Sequence, residues 1–246
     1  MSVEASLSVL FLIVAALYAS VGQAGASGYL AAMGLFGFAP SAMKVTAIAL
    51  NLLVAAIATF QFWRNGLMSW RTFYPFAVLG FPFSFLGGAV HIPTHLYYPA
   101  VGVVLLLSAT QMIRSAMKRR PEVGITAEPP FFPALIAGAL IGFVSGTTGT
   151  GGGVFLAPVI LAMGWVSVRR TAAVCAAYNL LNSAAALAGA HAILNSIPAA
   201  FPMWLLMVGI GGLIGSFIGS RHLPESASRY ILAAILFASG VKLVFA

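Results

Sequence analysis

Gly146-Thr147-Thr148-Gly149-Thr150-Gly151-Gly152-Gly153-Val154-Phe155-Leu156-Ala157-Pro158 decides how this chain is read. Glycine is among the poorest helix formers, so a cluster this dense interrupts any helix that reaches it. Apolar sequence lies on both sides: a long run over 131–146 ends at the cluster, and a short one over 153–164 begins inside it. The pattern is a helix, a glycine-rich break and a second, shorter helix.

Further out, the same apolar character continues to both ends. The 246 residues are 61% hydrophobic and 7% charged, with mean hydropathy +1.03, where a globular domain is charged at about a quarter of its positions. Apolar runs bounded by Gly, Pro or charge fall at 5–22, 26–36, 41–63, 72–90, 96–113, 131–146, 153–164, 171–191, 201–219 and 229–245. At about 20 residues per spanning helix, the length holds eight to ten membrane segments and no soluble domain. The net charge of +8 is scattered between the runs, without a basic patch or an RNA-binding aromatic motif, so nucleic acid is not expected as a partner. The first run follows Met1-Ser2-Val3-Glu4, which carries no basic residue, and reads as a retained span. The single Cys175 excludes an internal disulfide and a multi-cysteine metal site. Trp63, Trp70, Trp165 and Trp204 stand near segment ends, where interfacial anchors are expected.

Two halves repeat each other. Ala49-Leu50-Asn51-Leu52-Leu53 matches Ala177-Tyr178-Asn179-Leu180-Leu181 at a displacement of 128, and the break at 146–153 has a degenerate counterpart in Gly22-Gln23-Ala24-Gly25-Ala26-Ser27-Gly28. Each half then contains a helix, a Gly-rich break, a short helix, an Asn-bearing helix and two more helices. The expected layout is a membrane repeat over 1–113, a cytoplasmic linker over 114–130 and a second membrane repeat over 131–246. Loop charges orient them, because Lys and Arg in short loops stay on the cytoplasmic side. Arg64 and Arg71 bracket a loop whose counterpart, 192–200, is uncharged, while His91–His95 lacks the Lys and Arg that Arg221 and Arg229 bring to its own counterpart. An odd number of elements per half makes the second copy enter from the opposite side. The expected fold class is therefore an all-α polytopic membrane protein of two inverted-topology repeats, each with a Gly-rich broken or re-entrant helix, and with both termini periplasmic.

Inverted repeats with interrupted helices place substrates near the bilayer midplane, where half-helix N-termini supply unpaired N–H donors and the positive end of the dipole. An anion is the natural guest. Thr147, Thr148, Gly149, Thr150, Gly151, Gly152 and Gly153 are candidate substrate-binding residues from the second half. Gln23, Gly25, Ser27 and Gly28 are those from the first, where close packing is an equal alternative. Asn51 and Asn179 occupy matching mid-helix positions, with Asn182 on the face of Asn179. An amide in hydrocarbon needs a partner, so these side chains either line the cavity, bonding substrate or broken-helix backbone, or tie helices together. The chain has no Asp, and Glu4, Glu122, Glu128 and Glu225 all fall at predicted ends or loops. Cation pumps rely on intramembrane carboxylates, and this chain offers none. The P-loop ending is also missing. A serine protease is disfavoured, since His191 at a helix end is the one candidate base for Ser145 and no acidic group orients it. No catalytic residue, metal ligand or cofactor is expected.

The 146–158 stretch, its first-half counterpart and the repeated Asn-bearing helix resemble the sulfite exporter TauE/SafE family of bacterial inner-membrane anion permeases, over nearly the whole chain. The resemblance implies a secondary transporter, a permease or exporter, of a small sulfur-containing anion such as sulfite or an organosulfonate. The first half departs from the family's form, reading Gly25-Ala26-Ser27-Gly28 with Met33 where Pro158 aligns. An anion channel, or a permease for a small carboxylate, is the alternative. The partners expected are a small anionic substrate and the lipid bilayer, with assembly into a homo-oligomer left open.

Overall fold

The structure, a computed structural model, describes residues 3–117, 128–221, 236–237 and 240–245. Most of the expected linker, and the start of the last apolar run with Arg229, lie outside these residues. The described chain is helical throughout: α1 (Val3–Ser20), α2 (Ala26–Leu35), α3 (Pro40–Arg64), α4 (Trp70–Ala89), α5 (Thr94–Met117), α6 (Phe131–Thr148), α7 (Gly153–Ala162), α8 (Val168–Gly189) and α9 (Phe201–Arg221). Pro40 starts α3 in the first turn, where its missing N–H costs nothing. Gly149, left-handed at φ 80°, ends α6. Five of these helices are long and apolar enough to cross a membrane: Pro40–Arg64, Trp70–Ala89, Phe131–Thr148, Arg169–Gly189 and Phe201–Ser220. Large apolar side chains face outward from them, among them Leu140 and Leu206 at 64% and 58% exposure, as lipid contact requires and water does not allow on this scale. The chain is an all-α polytopic membrane protein.

Small residues decide how the helices meet. In α6, Gly138, Gly142 and Gly146 recur every fourth residue, and a Cβ on them would lie 2.2 Å, 2.6 Å and 2.4 Å from the carbonyl oxygens of Phe76, Gly80 and Ser84 of α4. In α9, Gly211, Gly215 and Gly219 stand in the same way 2.3 Å, 2.1 Å and 2.1 Å from the carbonyls of Leu12, Ala16 and Ser20 of α1. Both pairs run parallel, backbone on backbone. Lipid is as apolar as Leu, so helix association in a bilayer rests on such close packing rather than on hydrophobic burial.

These contacts are exchanged between the halves. The first helix of each half, α1 or α6, packs on the fourth major element of the other, α9 or α4. Between them α3 and α8 cross in the opposite sense: Ala58 and Phe62 near the end of α3 bury against Ala172, Ala173 and Ala176 near the start of α8. Asn51 Nδ2 donates to Ser183 Oγ at 2.7 Å midway along the pair.

Two of the four tryptophans correct the expectation of interfacial anchoring. Trp63 and Trp70 are 64% and 69% exposed, but Trp165 and Trp204 are buried. Trp204 sits edge-on to Phe11 at 5.3 Å and to Phe38 at 5.9 Å, which makes it a packing residue between α9, α1 and the α2–α3 turn.

Candidate functional site

The two breaks meet. A methyl placed on Gly151, at the second break, would lie 3.2 Å from the Cβ of Ala26 at the first, and 3.4 Å from both Asn179 Oδ1 and Asn51 Nδ2. Ala26 is the first residue of α2 and Gly153 the first of α7. The N-termini of both short helices therefore converge in the interior.

Each is tied down by the asparagine of its own half. Asn51 Oδ1 accepts the Ala26 N–H at 2.9 Å, and Asn179 Oδ1 accepts the Gly153 N–H at 2.8 Å. A helix leaves its first N–H groups without intrahelical partners, and a buried orphan of that kind costs about 1–3 kcal/mol. The repeated Asn is thus a remote cap for a broken helix, one of the roles open to it from sequence. Gly153 has no Cβ because Asn179 Nδ2 lies 2.3 Å from where one would be.

Past the capped group, the N–H of Ser27 and Gly28 in α2 and of Val154 in α7 meet no acceptor among the described residues. A small cavity of ≈ 10 Å³ lies there, about the space that one water needs. The first half lines it with Tyr18, Gln23, Ala24, Gly25, Ala26, Ser27 and Asn51, the second with Thr150, Gly151, Val154 and Asn179. None of these side chains is charged. Tyr18 and Ser27 share a hydrogen bond of 2.9 Å between their hydroxyls, and Thr150 shares another of 2.9 Å with Thr148. The lining is neutral and rich in donors, with two helix dipoles pointing their positive ends at it, the electrostatic setting of an anion.

Of the residues picked out in the sequence, Gln23, Gly25, Ser27, Asn51, Thr150, Gly151 and Asn179 come together at this cavity. The others take neighbouring places. Gly28 faces Val14 and Tyr18 of α1, Gly149 abuts the second turn of α3 at Lys44, and Gly152 lies against the Tyr178 ring. Thr147 turns away and bonds its own helix at Phe143 O, 2.7 Å. The Thr148 hydroxyl also bonds Val144 O, and its carbonyl accepts from Tyr97. Asn182 works elsewhere: its Nδ2 donates to Ser145 Oγ at 2.6 Å, and Ser84 bonds both its side chain and its carbonyl, locking α8 to α6 and α4.

Lys44 is not among the residues picked out in the sequence. The structure buries it to 5% exposure and gives its Nζ to the carbonyls of Gly87, Gly88 and Val90, at 3.3 Å, 2.9 Å and 2.9 Å. It is a cation on the last turn of α4, where carbonyls are unpaired and the dipole is negative. Its counterpart 128 positions on is Ala172. No spacing rule would have placed it there.

Residues 7–243 match the family described as Sulfite exporter TauE/SafE. The chain belongs to that family. The "Probable membrane transporter protein y4hK" of Sinorhizobium fredii (strain NBRC 101917 / NGR234) is 56% identical over 240 residues, 97% of this chain and 97% of that protein. No solved structure matches. The TauE/SafE resemblance read from the 146–158 stretch therefore holds over nearly the full length. The chain is a multi-pass transporter of the bacterial inner membrane, moving a small anion, and not an enzyme. Among the described residues there is no group of His, Cys, Asp and Glu able to hold a metal.

Proposed function

We propose that this TauE/SafE protein is a secondary permease for a small, sulfur-containing anion such as sulfite or an organosulfonate, working by alternating access around the cavity between α2 and α7. The observation that carries the reading is the convergence of two half-helix N-termini, each capped by its own Asn, on one uncharged cavity. Anions bind at such ends through free N–H groups and the helix dipole. The substrate-contacting groups in this reading are those that line the cavity, with Gly149, Gly152 and Gly153 shaping the backbone around it.

In the same reading the halves 1–113 and 131–246 are inverted-topology repeats joined by a cytoplasmic linker, with eight to ten membrane segments and periplasmic termini. The opposed directions of α3 and α8 support it, since equivalent helices related by an axis in the membrane plane must run antiparallel. Arg71 Nη1 lies 3.9 Å from Glu128 Oε1, which puts the arginine-bracketed loop and the linker's end on one face, as the charge rule for cytoplasmic loops asks. Access alternates as one repeat moves against the other.

Purified protein in vesicles tests this directly. Vesicles loaded in turn with sulfite, thiosulfate, small sulfonates and small carboxylates should show saturable flux of at least one sulfur-containing anion. Absence of flux across that panel contradicts the permease. Flux that does not saturate, with single-channel currents, makes the protein a channel instead.

A further inference from the structure

Lys44 is a cation held in the interior. It is 5% exposed, whereas Arg64, Arg71, Arg114, Arg169, Arg170 and Lys242 lie at the surface, where water and salt screen a charge. An ammonium has three N–H donors, and those of Lys44 go to the carbonyls of Gly87, Gly88 and Val90, which are dipoles and not charges. No carboxylate meets it among the described residues: Glu4 is exposed at the start of α1, and Glu128 pairs with Arg71 at 3.9 Å. A charge withdrawn from water without a counter-ion is costly. Its counterpart in the second half is Ala172, so the protein keeps this charge at one break and not at the other.

The charge stands beside the second break. A Cβ on Gly149 would lie 3.3 Å from the Cα, Cγ and carbonyl oxygen of Lys44, and Gly149 directly precedes Thr150 of the cavity lining. A Cβ on Gly87, whose carbonyl accepts from the ammonium, would lie 2.9 Å from the backbone nitrogen of Thr147. Along α3, Lys44 precedes the cavity's Asn51 by about two turns, roughly 10 Å of helix rise. The lining itself carries no charge, so an anion in the cavity touches no opposite charge. Lys44 and the anion each supply what the other lacks, at a separation that keeps them out of contact.

We infer that Lys44 is the counter-charge of the transported anion, a positioning residue that favours the occupied site through its field and without touching the substrate. This rests on the anion-permease reading and deepens it: the site selects by charge as well as by its N–H donors. Across about 10–15 Å, at an effective dielectric constant of about 20, a unit charge changes the affinity of a monoanion about tenfold and that of a dianion about a hundredfold. The negative end of the α4 dipole offsets part of the field. That end is present with or without the ammonium, so a neutral residue at position 44 removes a whole charge.

Affinity read against anion charge decides it. Kd comes from the concentration dependence of thermal stabilisation, each variant being referred to its own ligand-free midpoint, so that lost stability does not enter. The probes are the monoanions methanesulfonate and ethanesulfonate and the dianions sulfate and thiosulfate. Lys44→Met should weaken the monoanions about tenfold and the dianions about a hundredfold. Lys44→Arg keeps the charge and should bind both classes as the wild type does. Lys44→Gln keeps an N–H donor for the α4 carbonyls but no charge, and should bind as Lys44→Met does. Equal fold-changes in the two classes, or none, overturn the inference and leave the anion reading standing, because a packing role is blind to ligand charge. Wild-type affinity in Lys44→Gln, or its loss in Lys44→Arg, overturns it as well. Should Lys44→Met fail to fold, Lys44→Gln carries the charge comparison, and if one charge class alone binds, Lys44→Arg against Lys44→Gln on that class decides. If none of the four anions stabilises the wild-type protein, the reading beneath the inference falls with it.

Discussion

Gly151→Ala separates the cavity from the fold. Gly151 has φ +77°, and the added methyl would sit 3.2 Å from Ala26 Cβ and 3.4 Å from each of Asn179 Oδ1 and Asn51 Nδ2. Two costs follow. The left-handed backbone penalises any Cβ by about 1–2 kcal/mol, and crowding of a packed position adds about 1–3 kcal/mol. Gly66→Ala is the control, because Gly66 has φ +67° but nothing within 4 Å of its would-be Cβ. It carries the backbone cost alone. Thermal unfolding should therefore rank the proteins wild type, Gly66→Ala, Gly151→Ala, with modest steps. Flux should behave differently: per folded molecule, Gly66→Ala transports as the wild type does, and Gly151→Ala does not transport. If Gly151→Ala retains anion flux in proportion to its folded fraction, the space between the two half-helices is not on the anion's path.

The asparagine caps should be unequal. Asn51→Ala removes two hydrogen bonds, to Ala26 N–H and Ser183 Oγ, and should cost about 2–3 kcal/mol against about 1 kcal/mol for Asn179→Ala, which loses the Gly153 bond alone; equal unfolding midpoints would contradict this. Lys44→Met uncovers the Gly87, Gly88 and Val90 carbonyls and should lower stability by about 2 kcal/mol, read by chemical or thermal unfolding. Two substitutions in α9 should differ in sign. Gly209→Ala meets nothing nearer than a Leu53 methyl at 3.5 Å and should gain up to about 1 kcal/mol from helix propensity, whereas Gly215→Ala drives a Cβ to 2.1 Å from Ala16 O and should lose about 3 kcal/mol.

Helix ends were readable because glycine, proline and charge interrupt apolar runs, and the runs expected at 41–63, 131–146 and 201–219 match α3, α6 and α9 within a few residues. The order of the described elements from α1 to α9 was readable for the same reason. What each helix turns inward was not. In a bilayer the lipid side and the core side are both apolar, so the periodicity that orients a helix in a soluble protein carries little information. Asn182 shows the consequence: it follows Asn179 by three residues, yet it serves Ser84 and Ser145 rather than the cavity. Thr147 likewise lies in the glycine-rich stretch and faces away from the site. Lys44 was missed, because nothing in the sequence says that its stem reaches the last carbonyls of α4 from the second turn of α3. One signal was available and unused. The four-residue spacing of Gly138, Gly142 and Gly146, and of Gly211, Gly215 and Gly219, marks the two closest helix contacts by sequence alone. Tyr18 and Val154 at the cavity had no such mark.

Locating a heavy analogue of the substrate tests the central claim most directly. Selenite offers the charge and shape of sulfite with an anomalous scatterer at its centre. Diffraction from crystals grown with it should place selenium between α2 and α7, with its oxygens within hydrogen-bond reach of the Ser27 and Val154 N–H groups. Selenium found against surface arginines, with the space between those two helix ends still holding only protein and solvent, would contradict the account.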